Sequence, residues 1–214
     1  MTMRGSMRLI TAITLLGICG FSVAWGWTIV RFSLATMSVE SPEKRAEIAK
    51  MWGTTPGLAS RALRTVLVDK IDIVDQKAAN EQREALAAIL SIKPLSSRDW
   101  LSLSGVQLVT DQPMDDVLES LKLSTLTGPN EAYVMAERGI YGLSLWESLS
   151  PDLKSRVAKD LLPLLFPSTP AEGAEAGKLR ALVSAQPQRV RRELREALLA
   201  TGLSPNDIEQ RLGL

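Results

Sequence analysis

The sequence predicts an all-α protein, with an N-terminal transmembrane helix followed by an array of short antiparallel helix pairs. Three observations predict it: a long uncharged run near the N-terminus, prolines placed where helices begin, and apolar residues recurring every three or four positions between them. Strand-type alternation is confined to one short stretch.

The first element is the uncharged run from Leu9 to Val30. As a helix its roughly 22 residues rise about 33 Å, enough to cross a bilayer core. Residues 1–8 then read as a short cytoplasmic tail and 9–30 as a transmembrane signal anchor. Ser22-Val23-Ala24 supplies a small-residue site at which a signal peptide would be cut, but Trp25 to Val30 beyond it stay apolar, which favours retention. Acylation at Cys19 would want a small residue before it, and Ile18 is there instead; Cys19 reads as a small apolar residue within the span. Arg4 and Arg8 before the run nearly balance Arg31 and the mixed-charge stretch Glu40 to Arg45 after it. The short leading tail favours an N-terminus inside. Trp25 and Trp27 suit an interfacial aromatic anchor. Gly17, Gly20, Ala24 and Thr28 line one face with small groups, where a second helix, including that of a second copy of the chain, can approach.

Removing the anchor leaves about 180 of the 214 residues, enough for one domain with a core. Lys and Arg number 25 against 24 Asp and Glu, a net charge of +1 that argues against a nucleic-acid partner. The single cysteine allows no disulfide framework, and the absence of histidine removes the usual general base and the commonest transition-metal ligand. No catalytic, metal or cofactor residue is expected.

After the anchor, Ser41-Pro42, Thr55-Pro56, Ser150-Pro151, Thr169-Pro170 and Ser204-Pro205 each read as a hydroxyl cap with proline at the first helical position, where its missing N–H costs nothing. Pro113, Pro129 and Pro187 also precede helix-like runs. Leu86, Ile89 and Leu90, then Val117, Leu118 and Leu121, then Leu153, Val157 and Leu161 keep helical spacing. Thr65 to Asp75 is β-branched and partly alternating, but a lone strand would leave its edges unpaired, so it reads as a helix end and a turn. Val74 to Asn80 and Leu165 to Gly177 read as loops. About nine short helices follow from this, with residues 31–164 as the helical domain, 165–177 as a linker and 178–214 as a basic C-terminal helical segment.

Gly105 and Gly139 are 34 residues apart, as are Pro129 and Pro163. That is the period of tetratricopeptide repeats, in which two antiparallel helices bury their apolar face against neighbouring units. Leu101, Ser104-Gly105, Leu108, Val117, Leu121 and Pro129 fall where the motif places Trp, Leu-Gly, Tyr, Ala, Phe and the closing Pro. The stretch from Ser96 to Pro163 resembles a degenerate form of this repeat. The resemblance implies close helix approach at Gly105 and Gly139; the alternative is an irregular bundle. In the second unit Met135, Arg138 and Gly142 fill the early positions poorly.

Asp69, Asp72 and Asp75 recur at three-residue spacing and read as a solvated acidic face, since a calcium loop needs a glycine turn that is missing. Asp115 and Asp116 complement a helix dipole in a first turn. There is no phosphate-binding glycine loop and no G-x-S-x-G elbow. Trp100, Tyr133, Tyr141 and Trp146 read as inter-helix packing. The most polarised segment is Gln186 to Leu214, where Arg189, Arg191, Arg192 and Arg195 lie opposite an apolar stripe of Val190, Leu194, Ala197 and Leu198. It reads as a capping helix with a solvated face, or as a surface for anionic lipid or an acidic partner.

These features lead to the expectation of a single-pass bacterial inner-membrane protein with its helical domain in the periplasm. It would act as a non-catalytic scaffold or accessory subunit holding protein partners in a cell-envelope assembly of the polysaccharide-export or secretion type. The alternatives are a small envelope enzyme with a hidden carboxylate or Ser/Lys site, and an adaptor facing the cytoplasm.

Overall fold

The computed structural model describes residues 3–37, 42–65, 76–166 and 170–214, and all regular structure among them is helical. The chain divides into two compact units, Met1–Lys70 and Ile71–Leu214.

The first unit opens with α1, Met3–Met37, an uninterrupted helix of 35 residues. Its stretch Thr14–Met37 is long and apolar enough to cross a membrane, and almost none of it is buried in protein. The helix thus runs past Val30, where the apolar run was expected to end. α2 (Pro42–Trp52) and α3 (Ala59–Arg64) form a hairpin beside its last turns. Phe32, Ile48, Trp52, Leu58 and Ala62 are buried together there, with Ala35 against them, and the Phe32 and Trp52 rings meet edge to face at 5.9 Å. Pro42 starts α2 as expected, but Pro56 lies in the turn that precedes α3, where the Thr55 carbonyl accepts from the amides of Leu58 and Ala59. Gly57 in that turn has φ +74, a conformation L side chains rarely adopt. Apart from Thr65, which caps α3, the β-branched stretch and its acidic triplet Asp69, Asp72 and Asp75 lie outside the described residues.

The second unit is built from α4 (Gln76–Ile92), α5 (Ser97–Val109), α6 (Met114–Thr127), α7 (Ala132–Ser144), α8 (Pro151–Asp160), α9 (Leu162–Leu165), α10 (Pro170–Ser184), α11 (Gln188–Ala200) and α12 (Pro205–Leu212), with a 3-10 turn at Trp146–Ser148. After α1 the described residues therefore hold eleven α-helices, where about nine were expected, because the apolar periodicity cannot show short helices such as α3 and α9. Two expected loops are helical over most of their described residues, 74–75 and 167–169 lying outside the described residues. Gln76 to Asn80 forms the first turn of α4, and Pro170 to Gly177 the first half of α10. Their polar and small residues carry no apolar stripe, yet Ala and Glu are good helix formers and neither segment contains an internal proline.

Two of the expected hydroxyl caps, at Ser150 and Ser204, form as placed; Thr55 does not cap α3, and Ser41 and Thr169 lie outside the described residues. The Ser150 and Ser204 side chains accept from the amides of Leu153 and Asp207, with Pro151 and Pro205 in the first helical turn. Pro113 and Pro187 are themselves the capping residues of α6 and α11. Between α5 and α6 the chain reverses through Asp111 at φ 51, and the Gln112 amide reaches back to the Gln107 carbonyl at 2.9 Å, a helix-ending bond across a left-handed residue.

One core runs from Leu101 on α5 through Val117, Leu121, Leu143, Val157 and Leu161 to Leu179, Val183, Val190, Leu194, Leu198, Ile208 and Leu212. The C-terminal helices contribute a large share of that core. The division of the chain falls at Lys70/Ile71, and the buried residues of α10, α11 and α12 share the core of the second unit. The apolar stripe of α11 faces inward for the same reason: Val190, Leu194 and Leu198 are all at most 1% exposed.

Candidate functional site

The second unit carries its charge chemistry at two places, and the first is built around α7. The buried face of that helix consists of Val134, Arg138, Gly139, Gly142 and Leu143. Arginine therefore occupies a position that helical spacing assigns to the core. The two glycines admit the following helices: a Cβ at Gly139 would stand 2.7 Å from Leu161 Cδ2 and 3.1 Å from the Asp160 carbonyl carbon, and one at Gly142 would stand 2.5 Å from Val157 Cγ2. This approach delivers the Asp160 carboxylate to the guanidinium.

Arg138 Nε donates to Asp160 Oδ2 at 2.6 Å and Nη2 to Oδ1 at 2.8 Å, a two-pronged pair with both side chains almost fully buried. Nη1 donates to the Ser124 carbonyl at 2.8 Å and lies 3.3 Å from the Gly128 carbonyl. These carbonyls belong to the end of α6, where a helix lacks internal donors and concentrates negative charge, so the guanidinium also caps α6. Ser124 Oγ donates in turn to the Ser97 carbonyl, and Ser97 Oγ to Glu131 Oε2, which ties in the start of α5. Burial pushes the Asp160 carboxyl above its ordinary value, opposed by its bonds to Arg138. A cleft of about 310 Å³ opens over this pair, rimmed by Asn130, Asp152, Ser155, Arg156 and Lys159. Arg156 Nε and Asp152 pair across one turn of α8 at 3.0 Å.

The second place joins α8, the 3-10 turn and α11. Glu193 accepts from Lys154 Nζ at 2.7 Å, Arg189 Nε at 2.9 Å and Trp146 Nε1 at 3.2 Å, and the Lys154 ammonium lies 5.6 Å from the centre of the Trp146 ring. The bonds from Lys154 and Arg189 hold the Glu193 carboxyl down to about 2. The expected basic surface is accordingly subdivided. Arg189 is bonded within its own helix, Arg191 Nη2 donates to the Gly213 carbonyl at 2.8 Å, and Arg192 and Arg195 are exposed. Arg180 clips the same end, donating to the carbonyls of Arg211 at 2.8 Å and Gln210 at 3.0 Å.

The other expected residues fall as follows. The close approach expected at Gly105 is not made, since a Cβ there would meet nothing within 4 Å; at Gly139 the contact is tight. The contact at Gly105 is lost because Ser104, beside it, faces α6, its Oγ donating to the Val117 carbonyl at 2.7 Å. Leu121 is fully buried, Leu108 packs at the edge of the core, and Pro129 stands in the turn that borders the cleft. Gly17, Gly20 and Ala24 lie exposed on α1, with open space beside both glycines. Of the aromatics, Trp146 is buried and Tyr141 packs at the core edge, whereas Tyr133 is exposed with Arg98 5.4 Å over its ring. Among the described residues no group of three potential metal ligands converges.

Sequence reasoning missed the Arg138–Asp160 pair. The available signal was a lone arginine on the apolar face of α7, close to Gly142, which the repeat pattern leaves unexplained. No family model, curated protein or solved structure matches the chain.

Proposed function

We propose that the protein is a membrane-anchored, non-catalytic scaffold or accessory subunit of a bacterial cell-envelope assembly, of the polysaccharide-export or secretion type. Its N-terminus is cytoplasmic and its helical unit periplasmic. The observation that carries this reading is the contrast between the two units. The apolar length of α1 is open on the surface, while in the second unit the buried Arg138 and Asp160 bind each other and the end of α6. In this reading the helix pairs α5/α6 and α7/α8 serve as degenerate tetratricopeptide-like units, which would offer surface to protein partners. The apolar stripe of α11 is already taken up by the core, which weighs against that helix lying on lipid. Purification of the native membrane complex tests the proposal: co-purifying envelope proteins in fixed proportion are expected, and recovery of the chain alone defeats it. A reporter fused after Leu214 reads the orientation.

One observation favours an enzyme as the second reading. Ser155 and Lys159, one turn apart on α8, both border the cleft over Arg138 and Asp160. A serine-directed fluorophosphonate probe that labels the wild type and spares Ser155→Ala would establish it. Absence of labelling returns the cleft to a structural role.

A further inference from the structure

The hairpin α2–α3 gives α1 two unlike faces beyond Ala24. Trp25, Thr28, Phe32 and Ala35 follow helical spacing on the side of the hairpin: Phe32 is buried, Thr28 and Ala35 are half-buried, and the Trp25 ring lies beside Gly57, 3.4 Å from where a Cβ would stand. At about 100° per residue, Val23, Trp27, Val30, Leu34 and Met37 fall on the opposite side. All five are open, from 46% exposure at Val30 to 83% at Met37.

The hairpin also limits how far α1 enters the bilayer. Glu47, Lys50 and Arg61 are exposed on it, and charged side chains do not sit in hydrocarbon without partners there. Its reach back to Trp25 therefore ends the fully immersed part of α1 near Ala24. From Leu9 to Ala24 a helix rises only about 24 Å, some four residues short of a hydrocarbon core of about 30 Å. The deficit is made up if the side of α1 turned away from the hairpin, its lower side, stays immersed for further turns and the bilayer thins locally to meet it. The lower side is then the uninterrupted apolar stripe, carrying Trp27 at the depth where aromatic residues collect and flanked by Arg31 at headgroup level.

Resting on the membrane-anchor reading above, we infer that Val23, Trp27, Val30, Leu34 and Met37 form a lipid-facing exit surface, laid against the leaflet while α2–α3 stays on its water side. The occupant is the bilayer, because the stripe continues the lipid-exposed face of the span without a polar break.

The test uses the full chain with Cys19→Ser, reconstituted in phosphatidylethanolamine/phosphatidylglycerol vesicles. Single nitroxide labels are placed at Leu16→Cys, Val30→Cys, Leu34→Cys and Lys50→Cys. Accessibility to oxygen, which partitions into lipid, is compared with accessibility to a water-soluble nickel chelate. The expected oxygen-to-nickel ratio at positions 30 and 34 is several-fold above that at position 50 and approaches that at position 16. Ratios at 30 and 34 equal to that at 50 overturn the inference while position 16 still reports an anchor. Spin–spin broadening at 30 and 34 shows a second copy on the stripe and overturns it too. A water-like ratio at position 16 instead defeats the anchor reading itself.

Discussion

Arg138 and Asp160, on α7 and at the end of α8, are joined by two parallel bonds of 2.6 and 2.8 Å in the core of the second unit. Both side chains are almost fully buried, and their polar atoms are satisfied chiefly by each other and by the α6 carbonyls. Removing one partner leaves the other buried and unpaired, which typically costs about 3–5 kcal/mol, whereas replacing both with apolar groups of similar volume is often neutral. Asp160→Ala is expected to lose most of the stability of the second unit in urea denaturation. Arg138→Met combined with Asp160→Leu should recover a large part, less the cost of uncapping α6. Equal loss in the single and double variants would contradict this account.

Gly105 and Gly142 should behave oppositely. Gly105→Ala adds a methyl into open space in the interior of α5 and should raise stability by about 0.5–1 kcal/mol through helix propensity. Gly142→Ala drives a methyl against Val157 Cγ2 and Cγ1, and overpacking of this kind costs about 1–3 kcal/mol. Thermal melts of the two variants against the wild type check the signs.

Acid should act through Glu193. Its folded value of about 2 lies below the ordinary 4.5, so its contribution is fully present above about 4.5 and is lost as the pH falls from there through 2. Glu193→Gln should flatten stability against pH in that window while leaving the slope above it unchanged. A series of urea midpoints between pH 6 and 2.5 measures this.

At Asp111 the chain stands at φ 51, which costs a residue with a Cβ and costs glycine little. Asp111→Gly is expected to stabilise the α5–α6 turn by about 0.5–1 kcal/mol, and Asp111→Val to destabilise it by more. Unfolding midpoints report both; an unstable glycine variant would show that the aspartate side chain itself holds the turn.

The sequence by itself determined the helical class, because apolar spacing and proline caps are local signals: Ser150-Pro151 and Ser204-Pro205 start helices where they were read to start them. It also determined that α11 carries an apolar stripe, since Val190, Leu194 and Leu198 repeat every four residues, while the burial of that stripe in the core is a tertiary outcome. Only the tertiary structure decided that Gly139 and Gly142 rather than Gly105 are the points of close approach, because clearance depends on which helix lies opposite. It also decided that Arg138 is a core residue, that residues 178–214 belong to the main core, and that α1 shows a protected face and an open one. Each of these is set by partners distant along the chain, such as Asp160 for Arg138 and Gly57 for Trp25. Spacing within one helix carries no information about a partner that arrives from another.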